Sequence, residues 1–177
     1  MTVKVVIDSA SDFPADLAEK LGITIVPCNV HFGTEQFKDG VDITPDEFYR
    51  RLTEGSVFPK TSQPSPGDFV EIYDQLGSGA DGIVSIHVSA KLSGTYNSAI
   101  QAKSLSSATC PIEVLDSAQG CMGIGLVAIV AARAALDGAD IVGVVEVARD
   151  AMTRAQAFFL LNTLEYLERG GRIGKAK

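Results

Sequence analysis

The chain has 177 residues, 46% of them apolar and 21% charged, enough to close one ordinary core but not comfortably two. Its formal charge of −7 speaks against a nucleic-acid surface and against docking on anionic lipid, since both need clustered Lys and Arg.

Val3 to Ile7 is a short β-branched run closed by Asp8-Ser9-Ala10-Ser11-Asp12, and it predicts a buried strand ending in a polar loop. Pro14 to Leu21 predicts a helix with Asp12 as its cap, Pro14 early in its first turn and Gly22 beyond its end. Ile23 to Phe32 predicts a strand, turned back at Gly33-Thr34 through Glu35-Gln36-Phe37 as a hairpin. Thr44 and Glu47 have capping-box spacing, so a helix opens there and stops at Gly55.

Phe58 to Gly67 carries three prolines and can be neither helix nor central strand. A helix follows from Gly67 or Asp68 to Leu76. Ile83 to Val88 is nearly continuous apolar, as in a strand covered on both faces. The helix Leu92–Leu105 and the strand Ile112–Leu115 come next, the latter ending in Asp116-Ser117. Ile124 to Leu136 is an Ala- and Gly-rich helix ended by Gly138, and Ile141 to Ala151 is helix or strand by pattern.

Phe158 to Leu161 reads as a strand and Thr163 to Glu168 as a short helix before Gly170-Gly171-Arg172-Ile173-Gly174. Alternation of strands and helices predicts an α/β fold, a parallel Rossmann-like sheet flanked by helices. Residues 1–157 form this domain, and 158–177 start a second one. No late element remains to cover the last apolar face, so the chain is expected to be a fragment.

Met1-Thr2-Val3-Lys4-Val5 enters a strand directly, so no signal peptide is expected. The longest apolar stretch, Ile124 to Ala132, is broken by Gly125 and too short to span a bilayer. Cys28, Cys110 and Cys121 are odd in number and widely spaced, which predicts free thiols in a reducing cytoplasm.

In parallel α/β sheets, ligands sit at the carboxyl ends of strands, where loops enter helix N-termini with unpaired N–H groups. Hydroxyls crowd three such ends here: Ser9 with Ser11, Ser89 through Thr95, and Ser117. The Thr61-Ser62-Gln63 loop supplies a fourth wall. Helix capping and hydroxyl turns explain the same residues, but Gly94 between Ser93 and Thr95 lets a ligand approach the backbone. Asp8, Asp12 and Asp116 can form an acid cluster, with strand-end capping as the alternative.

Gly123-Ile124-Gly125-Leu126-Val127-Ala128 has the letters of a dinucleotide fingerprint, yet it lies well past the strand end at Leu115, so helix–sheet packing is expected instead. His31 and His87 have no Cys or carboxylate at ligand spacing, so no metal is predicted, and His87 reads as a satisfied sheet histidine.

Asp8-Ser9-Ala10-Ser11-Asp12, Asp39-Gly40-Val41-Asp42-Ile43, Lys60-Thr61-Ser62-Gln63-Pro64-Ser65-Pro66, Ser93-Gly94-Thr95-Tyr96, Asp116-Ser117 and Tyr166-Leu167-Glu168-Arg169-Gly170-Gly171-Arg172-Ile173 occur in the order seen in the DegV family. The chain resembles that family along essentially its whole length. The resemblance implies two α/β domains, the rest of the second being absent here, with one long-chain fatty acid such as palmitate between them. It implies a non-catalytic, cytoplasmic binding protein without cofactor, whose carboxylate ligands are the hydroxyls of Thr61 and Ser93, with Ser62, Gly94 and Thr95 as secondary neighbours. It also implies a partner, a kinase that phosphorylates the bound acid. Ile124 and Leu126 are candidates for the tunnel wall, with the ordinary core as the alternative.

Two other readings stand beside this one. In the first, an enzyme or phosphotransfer protein uses Asp8 and Asp116 on a phosphorylated small molecule. In the second, the chain is an interaction module whose hydroxyls only cap helices.

Overall fold

A computed structural model describes residues 1–173. Among the described residues the strands form two sheets. The larger is parallel, with strands β1 (Val3–Asp8), β2 (Ile23–Val26), β6 (Gly82–His87) and β7 (Ile112–Asp116) in the order β2-β1-β6-β7. The smaller is antiparallel, with β3 (Asn29–Phe32) between β4 (Glu35–Lys38) and β5 (Lys60–Ser62).

Every residue of β6 is buried, as its unbroken apolar pattern requires. One face of the large sheet packs on α1 (Ala15–Leu21), α5 (Met122–Leu136) and α6 (Ile141–Arg154), with Ile7, Ile86, Ile124 and Val127 at the centre. The other face packs on α3 (Pro66–Gly77) and α4 (Thr95–Leu105) through Val6, Ile83, Phe69 and Ala99. Helix α2 (Pro45–Glu54) lies on the small sheet, where Phe48 meets Phe32 edge to face at 5.9 Å.

Several local expectations change. The expected strand Ile23–Phe32 is split at Pro27-Cys28 into β2 and β3, which belong to different sheets. Proline cannot donate to a ladder, and the Cys28 N–H is taken instead by Ser9 Oγ at 3.0 Å. Asp12 does not cap α1: it sits in the left-handed region at φ 50°, and Pro14 occupies the N-cap without a side-chain bond. The capping box expected at Thr44 is half formed, since Glu47 turns its carboxylate to Arg50 and Arg51.

The complete box stands at Ser65 and Asp68 and starts α3 at Pro66. Helix α4 begins at Thr95 rather than Leu92, because Leu92 and Ser93 fold back to the Ser89 carbonyl. Ile141–Ala151 resolves as helix, so α6 follows α5 without an intervening strand.

Phe158 to Leu161 is irregular rather than a strand, with Phe158 88% and Leu160 97% exposed, and a short α7 (Glu165–Arg169) follows. No neighbouring strand among the described residues offers it a ladder. Gly174 and the rest of the expected second-domain start, 175–177, lie outside the described residues. No helix among the described residues is long and apolar enough to cross a membrane.

Candidate functional site

In the order β2-β1-β6-β7 the chain leaves β1 toward one edge and β6 toward the other, so a crevice opens at their carboxyl ends. Asp8 closes β1 there with 0% exposure. Its Oδ2 accepts the Val88 N–H at 3.0 Å and its Oδ1 the Ala10 N–H at 3.1 Å, so one carboxylate ties down the first loops after both strands. Asp8 Oδ2 also lies 2.9 Å from His87 Nδ1. The far side of that imidazole, Nε2, is 2.7 Å from Ser85 Oγ, which accepts the Tyr73 hydroxyl at 2.8 Å. His87 is thus a satisfied sheet histidine, and Phe69 packs edge-on against its ring at 4.9 Å.

The acid cluster does not face a ligand as a group. Asp8 is turned inward, while Asp116 Oδ1 accepts the N–H groups of Ala118 at 2.9 Å and Ala90 at 3.3 Å. Both acids do the work of strand-end capping. Among the described residues no three His, Cys, Asp or Glu side chains converge on a metal position. Burial, with help from the Asp8 charge, pushes the Cys28 thiol up to about 11, so it is no nucleophile at neutral pH. Gly125 of the fingerprint-like run serves packing, since an added Cβ would stand 2.8 Å from the Phe13 ring.

In the turn after β6 the hydroxyls of Ser89 and Ser93 bond to nearby backbone. Ser89 Oγ accepts the Lys91 N–H at 3.3 Å, and Ser93 Oγ accepts the Thr95 N–H at 3.3 Å while lying 2.9 Å from Thr95 Oγ1. Helix α4 has Gly94 at its N-cap and no side-chain cap. The Tyr96 and Asn97 N–H groups therefore find no acceptor among the described residues. Two free amides, a helix dipole and the Ser93–Thr95 hydroxyl pair share one spot, an arrangement that favours an anion.

Thr61 sits in β5 opposite Val30, on the face of the small sheet that meets α2. Ser62 faces the other way and lies 3.0 Å from His31 Nε2. The two segments named from sequence are brought together by Gln63. Its carbonyl accepts from Asn29 Nδ2 at 3.2 Å, and its side-chain amide lies over Gly94, where an added Cβ would be 2.6 Å from Nε2. Sequence reasoning has Gln63 only as part of a loop wall, Asp8 only in an acid cluster and His87 only as a sheet histidine; it does not join them, and it misses Ser85 and Tyr73. The available signal was parity: Ser85 and His87 are the polar positions of an otherwise apolar strand and share a face.

Beside Thr61 runs a groove of about 810 Å³, walled by Phe48, Tyr49 and Leu52 of α2, by Phe58, and by Tyr166 with the residues up to Arg172. That is the size of small-molecule sites. Phe58 stacks on Tyr166 at 6.0 Å, and the Arg169 guanidinium lies 3.9 Å from the Phe58 ring centre. Ser93 is not among the described residues lining this groove. Neither are Ile124, which is buried in the main core, and Leu126, which is 57% exposed.

The outer wall of α2 is held by charge. Hydrogen bonds from Arg50 and then Arg51 pull the Glu47 carboxyl down to about 2, and Arg51 also reaches Glu35 at 3.0 Å and lies over the Phe37 ring. A carboxyl depressed in the folded state stabilises it above the ordinary carboxylate range. That contribution is lost as pH falls through about 2. A side-chain NMR titration of Glu47 should show a midpoint near 2, moving up toward the ordinary range in Arg50→Gln/Arg51→Gln. An unchanged midpoint in that variant would assign the shift to something other than these two cations.

Comparison with known proteins shows what the chain is similar to. The family model described as "Uncharacterised protein, DegV family" matches residues 2–177. A DegV domain-containing protein of Caldanaerobacter subterraneus is 37% identical over 175 residues, covering 99% of this chain and 62% of that protein. Among solved structures, a DegV family protein from Thermus thermophilus described for its fatty acid binding has a TM-score of 0.87 at 36% identity, covering 98% of this chain and 61% of that one. A stearic acid-binding protein from Eubacterium ventriosum has a TM-score of 0.83 at 37% identity, covering 99% and 61%. The chain thus spans about three-fifths of the length of the proteins it matches.

Proposed function

Because this chain belongs to the DegV family, we propose that it supplies the larger part of a protein that binds one long-chain fatty acid, with the carboxylate at Thr61 and Ser93. The observation that carries this reading is the contact of Gln63 with Gly94. It sets the Thr61 strand against the turn where Ser93, Thr95 and the free α4 amides gather. Two solved relatives described as binding fatty acid and stearic acid support a fatty acid as the ligand. Residues 1–157 make up the first domain, and the exposed apolar run at 158–161 leads into a second that closes over the acyl chain.

The physics divides the work between the two ends of such a ligand. Each buried methylene contributes about 0.8 kcal/mol, so a C16 tail offers on the order of 10 kcal/mol before entropy is subtracted. A hydrogen bond to a charged group nets roughly 1.5–3 kcal/mol. The tail sets affinity, and the donors set which end goes where. The apolar groove beside Thr61 suits the tail, and Gly94 and Thr95 stand beside Ser93 at the head, whereas Ser62 turns to the opposite face.

Hydroxyl and amide donors leave the carboxylate more nucleophilic than a paired guanidinium would. This suits a non-catalytic carrier that presents its acid to a separate kinase in the cytoplasm. The test is lipid mass spectrometry on protein purified from bacteria in its longest natural form and then denatured. Stoichiometric C16–C18 acid is the expected result. An empty extract combined with nucleotide- or metal-dependent thermal stabilisation would overturn the binding reading in favour of an enzyme.

A further inference from the structure

The geometry points to the buried run Tyr73–Ser85–His87–Asp8 as the device that keeps the two anion-facing segments in register, with His87 as a positioning residue for the carboxylate end of the ligand. This inference rests on the fatty-acid reading above and adds to it residues that touch no ligand. Asp8, Ser85, His87 and Tyr73 each have 0% exposure, on the sheet face that packs through Val6, Phe69 and Ile83. Polar groups so placed are desolvated, and apolar side chains of similar size would fill the layer at less cost. A run of hydrogen bonds in that layer can fix relative positions that apolar packing alone leaves free.

What it fixes is visible at its two ends. Tyr73 belongs to α3, which starts at the Ser65–Asp68 box directly after the Thr61 strand and Gln63. Asp68 also pairs with Lys38 of β4 at 2.8 Å, which ties the start of α3 to the small sheet. At the other end Asp8 holds the Val88 N–H, the last amide before Ser89 opens the turn that carries Ser93. The imidazole is the link between them.

One order of protons satisfies every atom of the run. Tyr73 donates to Ser85, Ser85 donates to His87 Nε2, and His87 Nδ1–H faces Asp8. Displacing the ring shifts both the turn with Ser93 and the helix that follows the Thr61 strand. Close packing of Phe69 on that ring leaves little slack to absorb the displacement.

The experiment compares binding of palmitate with that of 1-hexadecanol, which keeps the tail and removes the carboxylate. It uses the longest natural form of the protein, with thermal stability measured alongside. Tyr73→Phe cuts the α3 end by removing one hydroxyl, His87→Leu cuts both ends, and His87→Asn keeps an amide near the position of Nδ1. Tyr73→Phe and His87→Leu should each lower the acid-over-alcohol preference about tenfold, the scale of one bond to a charged group, with hexadecanol affinity within about twofold.

His87→Asn should fall between His87→Leu and the wild type. A preference unchanged in all three variants while their thermal stability falls would overturn the positioning role and leave the run as a structural network. A wild-type protein that binds neither compound would overturn the fatty-acid reading itself, and this role with it. If His87→Leu does not fold, Tyr73→Phe decides the matter.

Discussion

Asp8→Ala should destabilise the fold by about 3–5 kcal/mol, the range for removing one member of a buried, hydrogen-bonded pair. The carboxylate has 0% exposure and takes bonds from Val88 N–H, Ala10 N–H and the His87 ring. Alanine leaves all three donors without their acceptor, and each unmet buried group adds roughly 1–3 kcal/mol. Val88 and Ala10 lie just past the ends of strands in the middle of the large sheet, so the damage falls on its centre and not on an edge.

Denaturant midpoints would measure the loss. A double change, Asp8→Ala with His87→Leu, should recover part of it, because removing both partners is milder than stranding one. Asp8→Ala within about 1 kcal/mol of wild type would mean that water reaches the strand ends and satisfies them, contrary to the buried geometry.

Thr61→Val combined with Ser93→Ala should weaken palmitate binding about a hundredfold, and each single change about tenfold, if each hydroxyl donates one bond to the carboxylate. Valine keeps the shape of threonine, and Thr61 is exposed on an edge strand, so folding should shift by less than about 1 kcal/mol. Ser93 Oγ bonds only to its near neighbour Thr95 among the described residues, so its loss is likewise local.

Methyl palmitate, which keeps the tail but not the charge, should bind the double variant and wild type alike by calorimetry or ligand displacement. Thr95 Oγ1 lies 2.9 Å from Ser93 Oγ but Thr95 is fully buried, so Thr95→Val should weaken palmitate binding less than Ser93→Ala does. Wild-type palmitate affinity in the Thr61→Val/Ser93→Ala variant would remove these hydroxyls from the site.

How much of this was legible from the chain differs from element to element. The buried strands β1, β6 and β7 announced themselves by β-branched runs, because a strand covered on both faces must be apolar throughout. Helix starts were harder. The Ser65–Asp68 box formed fully and the Thr44–Glu47 box by half, because Glu47 had two guanidiniums in reach and Asp68 had its own N-cap. Phe158 to Leu161 has strand composition without a strand, since a ladder needs a neighbour and none stands beside it among the described residues.

Motif order alone identified the family, and periodicity alone set the parallel α/β architecture, because both depend on spacing along the chain. Tertiary structure decided which polar groups meet. The Asp8–His87 contact joins residues 79 positions apart, and Gln63 reaches Gly94 across a helix and a strand. Local propensity carries no record of such partners; they are chosen where the packed layers leave buried donors and acceptors only one another to bond.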